Sequence, residues 1–382
     1  MSRIKLKDIA VEKNERVDNP SQSPYEIFVG LEHYDSGEAT IRRYGSTERL
    51  ESTMKVFHAG DILVARRNVY LRRAAAVNFD GLTSGDSIVL HIANEQYRRI
   101  IPFVLNTDDF WDYANQHADG SMSKRLSPKL LMEYEFSLPD EDLDHISEIL
   151  WAMERVKNAY RDLIARTDDL VKSQFIEMFG TAQNNEKGWP MMSMKEAAIR
   201  LSDGPFGSNL KSEHYRQEGV RVIRLQNICD GYFLDDDKAY VGLEHYEKIK
   251  KYTCHAGDIV IGTLGEPNLR ACLIPNHIET AINKADCVHY IPRPELLDKR
   301  FVCAFINSPA TLEMAIGDVH GNTRQRISSG QLAKLPIMIP PMELQEEYAT
   351  FVQQSDKSKF EAQQTLQELT VAQKALMKKI FE

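Results

Sequence analysis

The chain has 382 residues, of which 42% are apolar and 27% are charged, as is typical of a soluble globular protein with two or three domains. It has no apolar run of about 18 residues, which excludes a transmembrane helix, and its N-terminus lacks the apolar segment of a secretory signal. We therefore expect a cytoplasmic protein. Its 5 cysteines include no CxxC pair and favour neither a disulfide framework nor a zinc site.

The charge is unevenly distributed. The 47 basic and 56 acidic side chains give a net charge of −9. Residues 139–180 hold 10 acidic and 5 basic side chains, and residues 340–382 hold 7 and 5. These two segments carry most of the negative excess, so the remainder is nearly neutral and can present basic faces to phosphates.

The first predicted domain covers residues 1–138. Ile62–Ala65 follows a Gly-Asp turn and predicts a buried strand, and residues 25–29 are predicted to be the counterpart of the strand at residues 220–225 of the second head. Residues 103–113 predict a helix. This mixture indicates an α+β head.

Residues 139–180 predict a long helix. Apolar side chains recur at three- and four-residue spacing, and no Gly or Pro falls between Pro139 and Gly180. A helix of this length spans about 60 Å at 1.5 Å per residue. Such a stripe needs a partner along its length.

A second head is predicted over residues 181–339. Ile259–Gly262 again follows a Gly-Asp turn and predicts a buried strand. Residues 220–225 alternate and predict a strand with one face in solvent, and residues 301–316 predict a helix.

A second long helix is predicted over residues 340–382, after Pro340 and Pro341. Its apolar stripe matches the first helix in length, so the two helices are expected to pair as a coiled coil. Packing of each helix on its own domain is the alternative, and the length of the helices argues against it.

The chain is predicted to be a tandem repeat. Residues 120–127 correspond to residues 321–328 at an offset of 201, and the string His-Ala-Gly-Asp-Ile at residues 58–62 recurs at residues 255–259. Each copy is a head followed by a long helix. If the helices are antiparallel, this plan has quasi-twofold symmetry and suits a symmetric polymer.

Several strings resemble one known family. The most specific are Asp-Gly-Pro-Phe-Gly-Ser-Asn-Leu-Lys at residues 203–211 and Arg-Leu-Gln-Asn-Ile at residues 224–228. The run from Leu335 to Gln345 follows at matching spacing. Together with the repeat, these strings resemble the DNA-specificity (S) subunit of type I restriction-modification systems. The resemblance covers the whole chain and is strongest in its second half.

This resemblance implies a complete functional scheme. The fold is α+β, with two target recognition domains, each followed by a long helix, and with the helices paired as an antiparallel coiled coil. Each head would read one half of a bipartite site in double-stranded DNA, and the helices would set the unread gap. The chain would be non-catalytic and without a cofactor of its own. Two methyltransferase (M) subunits using S-adenosylmethionine, and in some systems two restriction (R) subunits using ATP and Mg²⁺, would carry the chemistry of DNA methylation and phage defence.

Two other functions are alternatives to this scheme. A stand-alone DNA-modifying enzyme is disfavoured because the chain lacks Asn-Pro-Pro-Tyr/Phe, GxGxxG and phosphate-loop motifs. The acidic run at residues 235–238 is more typical of a solvated turn than of a metal-dependent nuclease. A coiled-coil scaffold without a DNA role is disfavoured by the clustered arginines of the first head.

The DNA-contact candidates follow from the chemistry of bases and phosphates. In the first head, residues 66–73 hold four arginines interleaved with Asn and Tyr, and no acid lies between Asp61 and Asp80 to neutralise them. The candidates there are Arg66, Arg67, Asn68, Tyr70, Arg72 and Arg73, then Arg42 and Arg43, then Lys124 and Arg125.

In the second head, the Gly-rich string at residues 204–211 suits either close approach of a partner or a plain tight turn. The candidates there are Ser208, Asn209, Lys211, Arg224, Gln226, Asn227, Thr323, Arg324, Gln325 and Arg326.

Overall fold

A computed structural model of the chain describes residues 2–120, 123–139, 142–265, 267–317 and 326–381. The chain divides into two compact units. Unit 1 comprises Met1–Asp162 with Ala362–Glu382, and unit 2 comprises Leu163–Glu361. Within the described ranges, no helix combines the length and the apolar character needed to cross a membrane.

The head of unit 1 is rich in short strands. They are β1 (Ser2–Lys5), β2 (Val11–Lys13), β3 (Arg16–Val17), β4 (Ile27–Val29), β5 (Gly45–Ser46), β6 (Met54–Phe57), β7 (Ile62–Ala65), β8 (Ala74–Ala76), β9 (Gly81–Thr83), β10 (Ser87–His91) and β11 (Glu135–Leu138). They form a ribbon β1–β11, a sheet in the order β2-β10-β7-β8 and a sheet in the order β3-β6-β9-β4-β5. The pair β4–β9 is parallel, and the other pairs are antiparallel.

The helices of this unit are α1 (Leu6–Ile9), α2 (Glu95–Val104), α3 (Asp108–His117), α4 (Pro128–Met132) and the first part of α5 (Leu143–Phe179). Residues 103–113, predicted to be helical, contain the end of α2 and the start of α3. Thr107 caps α3, since its hydroxyl accepts a hydrogen bond from the Phe110 amide at 3.3 Å.

The head of unit 2 repeats this plan. Its strands are β12 (Met191–Ser193), β13 (Ala198–Ser202), β14 (Tyr215–Arg216), β15 (Val220–Ile223), β16 (Ala239–Val241), β17 (Thr253–His255), β18 (Ile259–Gly262), β19 (Arg270–Leu273), β20 (Thr280–Asn283), β21 (Cys287–Pro292) and β22 (Pro336–Met338). Its helices are α6 (Leu243–Ile249), α7 (Lys299–Asn307), α8 (Pro309–Ile316), α9 (Ser329–Lys334) and the first part of α10 (Met342–Phe381).

The two heads share most of their strand order. The sheet β13-β21-β18-β19 has the order of β2-β10-β7-β8, and the ribbon β12–β22 matches β1–β11. In the second large sheet, β14-β16-β15-β20-β17, the parallel pair β15–β20 takes the place of β4–β9. The edge strands of this sheet differ, because β3 lies beside β6 in head 1 and β14 lies beside β16 in head 2. The predicted strand over residues 25–29 is thus confirmed as the counterpart of β15.

The repeated Gly-Asp turns have the same geometry. The amide of His58 donates to the carboxylate of Asp61 at 2.9 Å, and the amide of His255 donates to that of Asp258 at 3.0 Å. Each aspartate also contacts a histidine ring, at 2.8 Å in head 1 and 2.9 Å in head 2. The two copies of the predicted tandem repeat therefore share these hydrogen bonds.

One prediction for head 2 needs correction. Arg221, at the centre of β15, is buried and bonds Asp235 at 2.7 Å, so this strand has no solvated face. Residues 301–316 are helical, as predicted, and are divided into α7 and α8 because Pro309 starts α8 and the hydroxyl of Ser308 accepts from the Thr311 amide at 3.2 Å.

The long helices α5 and α10 are antiparallel within each unit. In unit 1, Gln373 of α10 donates to the carbonyl of Leu150 of α5 at 3.3 Å. In unit 2, the Tyr348 hydroxyl donates to the carbonyl of Val171 at 3.4 Å, and Lys359 bonds Asp168 at 2.5 Å. The predicted antiparallel pairing is confirmed.

The helices also pack on the heads. Leu150 and Met377 belong to the hydrophobic core of head 1, and Phe175, Phe179 and Tyr348 belong to that of head 2. Pairing and packing on a head, weighed as alternatives from the sequence, therefore occur together in each unit.

Gly204 of the Gly-rich string lies against backbone of its own head. A Cβ at this position would be 2.2 Å from the carbonyl oxygen of Asn283 and 2.4 Å from that of Lys284. The close approach permitted by this glycine is thus internal, which favours the tight-turn interpretation at this position.

Replacing Gly204 by alanine is expected to cost about 1–3 kcal/mol or more of stability, because the neighbouring atoms are backbone and cannot move aside. Thermal or denaturant unfolding measures the loss. Gly85→Ala is the control, since a Cβ there meets nothing within 4 Å. Equal stability of the two variants would contradict this interpretation.

Candidate nucleic-acid interface

Head 1 gathers several of its predicted DNA-contact residues into one cluster. The loop between β7 and β8 lies beside the segment at residues 123–126, because the Asn68 amide donates to the carbonyl of Lys124 at 2.8 Å. Ser123 receives a hydrogen bond from Arg67 at 3.0 Å and donates one to Asn68 at 3.0 Å. We name Arg67, Asn68, Tyr70, Lys124 and Arg125 the head-1 cluster.

Acidic side chains do reach this loop, contrary to the expectation from the sequence. Asp86, in the turn before β10, lies 3.6 Å from Arg67 and 3.4 Å from Arg125. Arg72 pairs with Asp108, at the start of α3. Because one carboxylate is shared by two guanidinium groups, the cluster keeps positive charge.

Arg73 has a structural role in the loop. Its guanidinium donates to the carbonyls of Leu31 at 2.9 Å and Arg67 at 3.0 Å, which ties the two ends of the loop together. Burial lowers the pKa of Arg73, and the nearby Tyr34 opposes this effect. Arg73 therefore fixes the shape of the loop beside the head-1 cluster, and we call this arginine with its two hydrogen bonds the clamp.

The other arginine candidates of head 1 have separate partners. Arg66 is half-buried, and its backbone amide donates to the backbone carbonyl of Asp86 at 2.9 Å. Arg42 pairs with Asp162 of α5, and Arg43 bonds Asp35 at 2.7 Å. These contacts direct the Arg42–Arg43 pair to intramolecular partners outside the head-1 cluster.

Head 2 has an equivalent ion pair. Arg326 bonds Asp286 in the turn before β21 at 2.7 Å, as Arg125 approaches Asp86 in head 1. The guanidinium of Arg326 also lies 5.2 Å from the ring of Phe206, in the Gly-Pro-Phe-Gly-Ser string. Thr323, Arg324 and Gln325 lie outside the described residues.

The clamp is repeated as well, and it was missed from the sequence. Arg270 donates to the carbonyls of Leu264 and Leu225, both at 2.9 Å, which are the positions equivalent to Arg67 and Leu31. The offset of 197 between the two Gly-Asp turns places Arg73 opposite Arg270 and was the signal that could have found it.

The Gly-rich string of head 2 exposes its polar end. Ser208, Asn209 and Lys211 are exposed, and the carbonyl of Asn209 contacts the His245 ring at 2.8 Å. Lys211 is 3.8 Å from Glu213, a weak surface pair. These three side chains are accessible to a partner.

The polar side chains after β15 have more partners within the chain than the sequence suggests. Arg224 and Gln226 both bond the carboxylate of Asp237, Gln226 at 2.6 Å. Asn227 is fully buried, and its amide group donates to the carbonyls of Leu234 and Asp237, both at 2.9 Å. Asn227 is therefore a turn-forming residue that is not available to a base, and the acidic run at residues 235–238 partners these polar side chains.

Comparison with known proteins agrees with this architecture. Residues 210–371 match the model of the type I restriction modification DNA specificity domain. No curated protein sequence matches the chain. A solved structure described for complex assembly and conformational transition of the type I R-M system is 18% identical, covers 99% of this chain and 97% of its own, and has a TM-score of 0.53.

A second solved structure, the type I restriction-modification S subunit of M. genitalium, is 14% identical, with coverage of 100% and 96% and a TM-score of 0.52. At these identities the two structures establish the fold alone. The chain shares that fold, with two related heads and paired long helices, and its residues 210–371 are similar to the type I restriction modification DNA specificity domain.

Proposed function

We propose that this chain is the non-catalytic recognition subunit of a type I restriction-modification complex, in which each head reads one half of a bipartite DNA target. The observation that carries the proposal is the repeated arginine–aspartate pair, Arg125–Asp86 and Arg326–Asp286, at equivalent positions of the two heads. The side chains around the two pairs differ, as expected if the two half-sites differ in sequence.

The head-1 cluster and the exposed residues of head 2 are the proposed DNA contacts. Arg67, Lys124 and Arg125 supply charge for phosphates, and Asn68 supplies an amide. In head 2, the equivalent contribution comes from Ser208, Lys211 and Arg326. Arg73 and Asn227 are assigned to the framework because their polar groups are used internally.

We propose that the helices set the gap between the two half-sites and form the surface on which two methyltransferase subunits dock. Exposed apolar side chains on α5 recur at heptad spacing, Ile149 and Val156 in unit 1 and Leu163 and Leu170 in unit 2. Neither unit buries these four side chains against its own residues. Such a stripe favours a partner helix, since water-exposed apolar surface gains free energy when it is buried.

Methylation sequencing tests the proposal. The chain is expressed with a methyltransferase subunit of a type I system, and the methylated motif is read in the host genome. We expect a bipartite motif that requires this chain. Methyl transfer by the purified chain alone would contradict the assignment of a non-catalytic subunit.

Exchange of one head separates the two half-sites. In each head the first and last strands pair, Ser2 with Leu138 and Met191 with Met338, so a head enters and leaves through one ribbon. Replacing residues 1–138 with another such head is expected to change one half-site only. A change in both half-sites would overturn the one-head, one-half-site proposal.

Removal of charge from the head-1 cluster is expected to weaken DNA binding. In the double variant Arg67→Ala, Arg125→Ala, Asp86 loses both cationic partners and repels phosphates. If each arginine neutralises one phosphate, the slope of log K against log salt falls by about 1.8. Binding titrations at several salt concentrations measure it, with Arg43→Ala as the control, because Arg43 bonds Asp35 outside the cluster. An unchanged slope would exclude these arginines as phosphate contacts.

A further inference from the structure

The tip of the head-1 loop is apolar and unusually exposed. Tyr70 is 61% exposed and Leu71 is 38% exposed, and they are neighbours in the short turn Val69–Leu71. Among the described residues, no hydrogen bond of the Tyr70 hydroxyl is found, although Tyr70 is near enough to Arg73 to interact with its charge. Two apolar side chains thus project from a head whose other large side chains are mostly buried.

The loop is held in a strained conformation around this tip. Asn68 and Arg72, on either side of the turn, have φ angles of 56° and 50°, in the left-handed region that non-glycine residues rarely adopt. The contacts that maintain it are the Arg73 clamp to the Arg67 carbonyl at 3.0 Å, and the hydrogen bond from Asn68 to Lys124 at 2.8 Å. The tip is therefore presented in one fixed geometry.

The surroundings of the tip are cationic. Arg67, Lys124 and Arg125 are exposed. Asp86 lies against the two arginines, and Asp108 pairs with Arg72 at the end of the turn. A polyanion is the partner whose charge matches this rim, and phosphates bound to it would lie beside the apolar tip.

We propose that Tyr70 and Leu71 form a wedge that inserts between two neighbouring base pairs of the half-site read by head 1. This inference rests on the proposed DNA-recognition function and adds its mechanism. Insertion removes both apolar side chains from water and stacks the tyrosine ring on a base, at the expense of one base step. Pyrimidine–purine steps separate most easily, so the half-site is expected to contain one at the wedge.

The wedge is specific to head 1. In the loop of head 2, the positions equivalent to Tyr70 and Leu71 are Pro267 and Asn268, and neither carries a large apolar side chain. The nearby Leu269 is buried. The two heads thus use the same clamped loop with different tips, and deformation of DNA by this loop is expected in one half-site.

Fluorescence of 2-aminopurine tests the insertion directly. The full chain, in complex with its methyltransferase subunit, binds duplexes that carry the methylated motif with 2-aminopurine placed at successive steps of the head-1 half-site. Unstacking raises the fluorescence, and we expect a rise at one step. The double variant Tyr70→Ala, Leu71→Ala should lose this rise and bind about tenfold to a hundredfold more weakly.

Two further variants separate insertion from other effects. Tyr70→Phe should keep the rise and bind within about twofold of the parent, because stacking needs the ring and not the hydroxyl. Tyr44→Ala is the matched control: Tyr44 is also an exposed aromatic residue of head 1, but its ring packs on Phe79 at 5.3 Å. It should leave the signal unchanged.

The measurement on the parent protein needs no variant to fold. Tight binding of the motif without a rise at any step would overturn the wedge and leave the recognition function intact. Failure of the complex to bind the motif at all would overturn both. Equal affinity of the parent and the folded double variant would also overturn the wedge.

Discussion

Lys157→Met is expected to destabilise unit 1 by about 3–5 kcal/mol at pH 7, the range for removing one partner from a buried ion pair. Lys157 of α5 is 1% exposed. Its ammonium group bonds Glu154 at 3.0 Å and Gln373 of α10 at 2.7 Å, and it lies 3.0 Å from Glu38 of head 1. The substitution leaves two carboxylates in a site from which water is largely excluded.

The loss should depend on pH in a defined direction. Burial raises the pKa of Glu38 above its ordinary value of 4.5, and the charge of Glu154 adds to this effect, while Lys157 and Arg161 oppose it. A carboxyl group whose pKa is raised on folding destabilises the protein as pH rises through that range. Without Lys157 the pKa of Glu38 rises further, so the variant should recover stability as the pH falls from 7 toward 4.5.

Lys172→Met is the matched control, because it is the same substitution on the same helix. Lys172 bonds Asp230 at 2.8 Å, but both side chains are more than one-third exposed, and the expected loss is below about 1 kcal/mol. Denaturant unfolding between pH 5 and 8 measures both variants. A loss of stability for Lys157→Met as small as that of the control would show that the group around Lys157 does not contain buried charge. A loss of stability that grows as the pH falls would show the same.

The buried group of Lys157, Glu154, Glu38 and Gln373 also has a specific geometric role. It joins α5, α10 and head 1 through groups that can be satisfied only in one register, since a shift of either helix by one turn would separate Lys157 from Gln373. Buried polar contacts of this kind are the best-attested devices for fixing register in paired helices. Nothing in the apolar stripe itself distinguishes one register from the next.

The long helices were predictable because their signals are local. α5 ends at Phe179, one residue before Gly180, and α10 begins at Met342, directly after the two prolines. Gly180 has a φ of 74°, the conformation that terminates a helix most easily. Heptad spacing, proline and glycine act within a few residues of where they stand, so the sequence contains what is needed.

The loop contacts were not predictable in the same way. The sequence has no acid between Asp61 and Asp80, but Asp86 and Asp108 reach Arg67 and Arg72 because the turn before β10 and the start of α3 fold back on the loop. The same limitation applies to Asn227, whose side-chain amide donates to backbone carbonyls up to 10 residues further along the chain. Residue type was informative about chemistry, and tertiary contacts decided which groups stayed available.

Lengthening both helices should lengthen the unread gap of the DNA target. α5 passes from unit 1 to unit 2 after Asp162, and α10 passes back before Ala362. Four helix-favouring residues inserted at each of these two points keep every pairing contact within each unit. Four residues add about 6 Å and about 40° of right-handed rotation. Two base pairs add about 7 Å and about 70° in the same sense, so rise and twist nearly agree.

The expected result is a methylated motif with both half-sites unchanged and a gap longer by about two base pairs, read by sequencing beside the parent. An insertion in α5 alone is the control. It shifts the α5 residues from Leu163 onward by one turn against α10, separates Asp168 from Lys359, and should destabilise the protein without giving a new gap. Because each unit keeps its own contacts in the paired insertion, a loss of folding is not expected there. An active paired variant with the parental gap would mean that the helices do not measure the distance between half-sites.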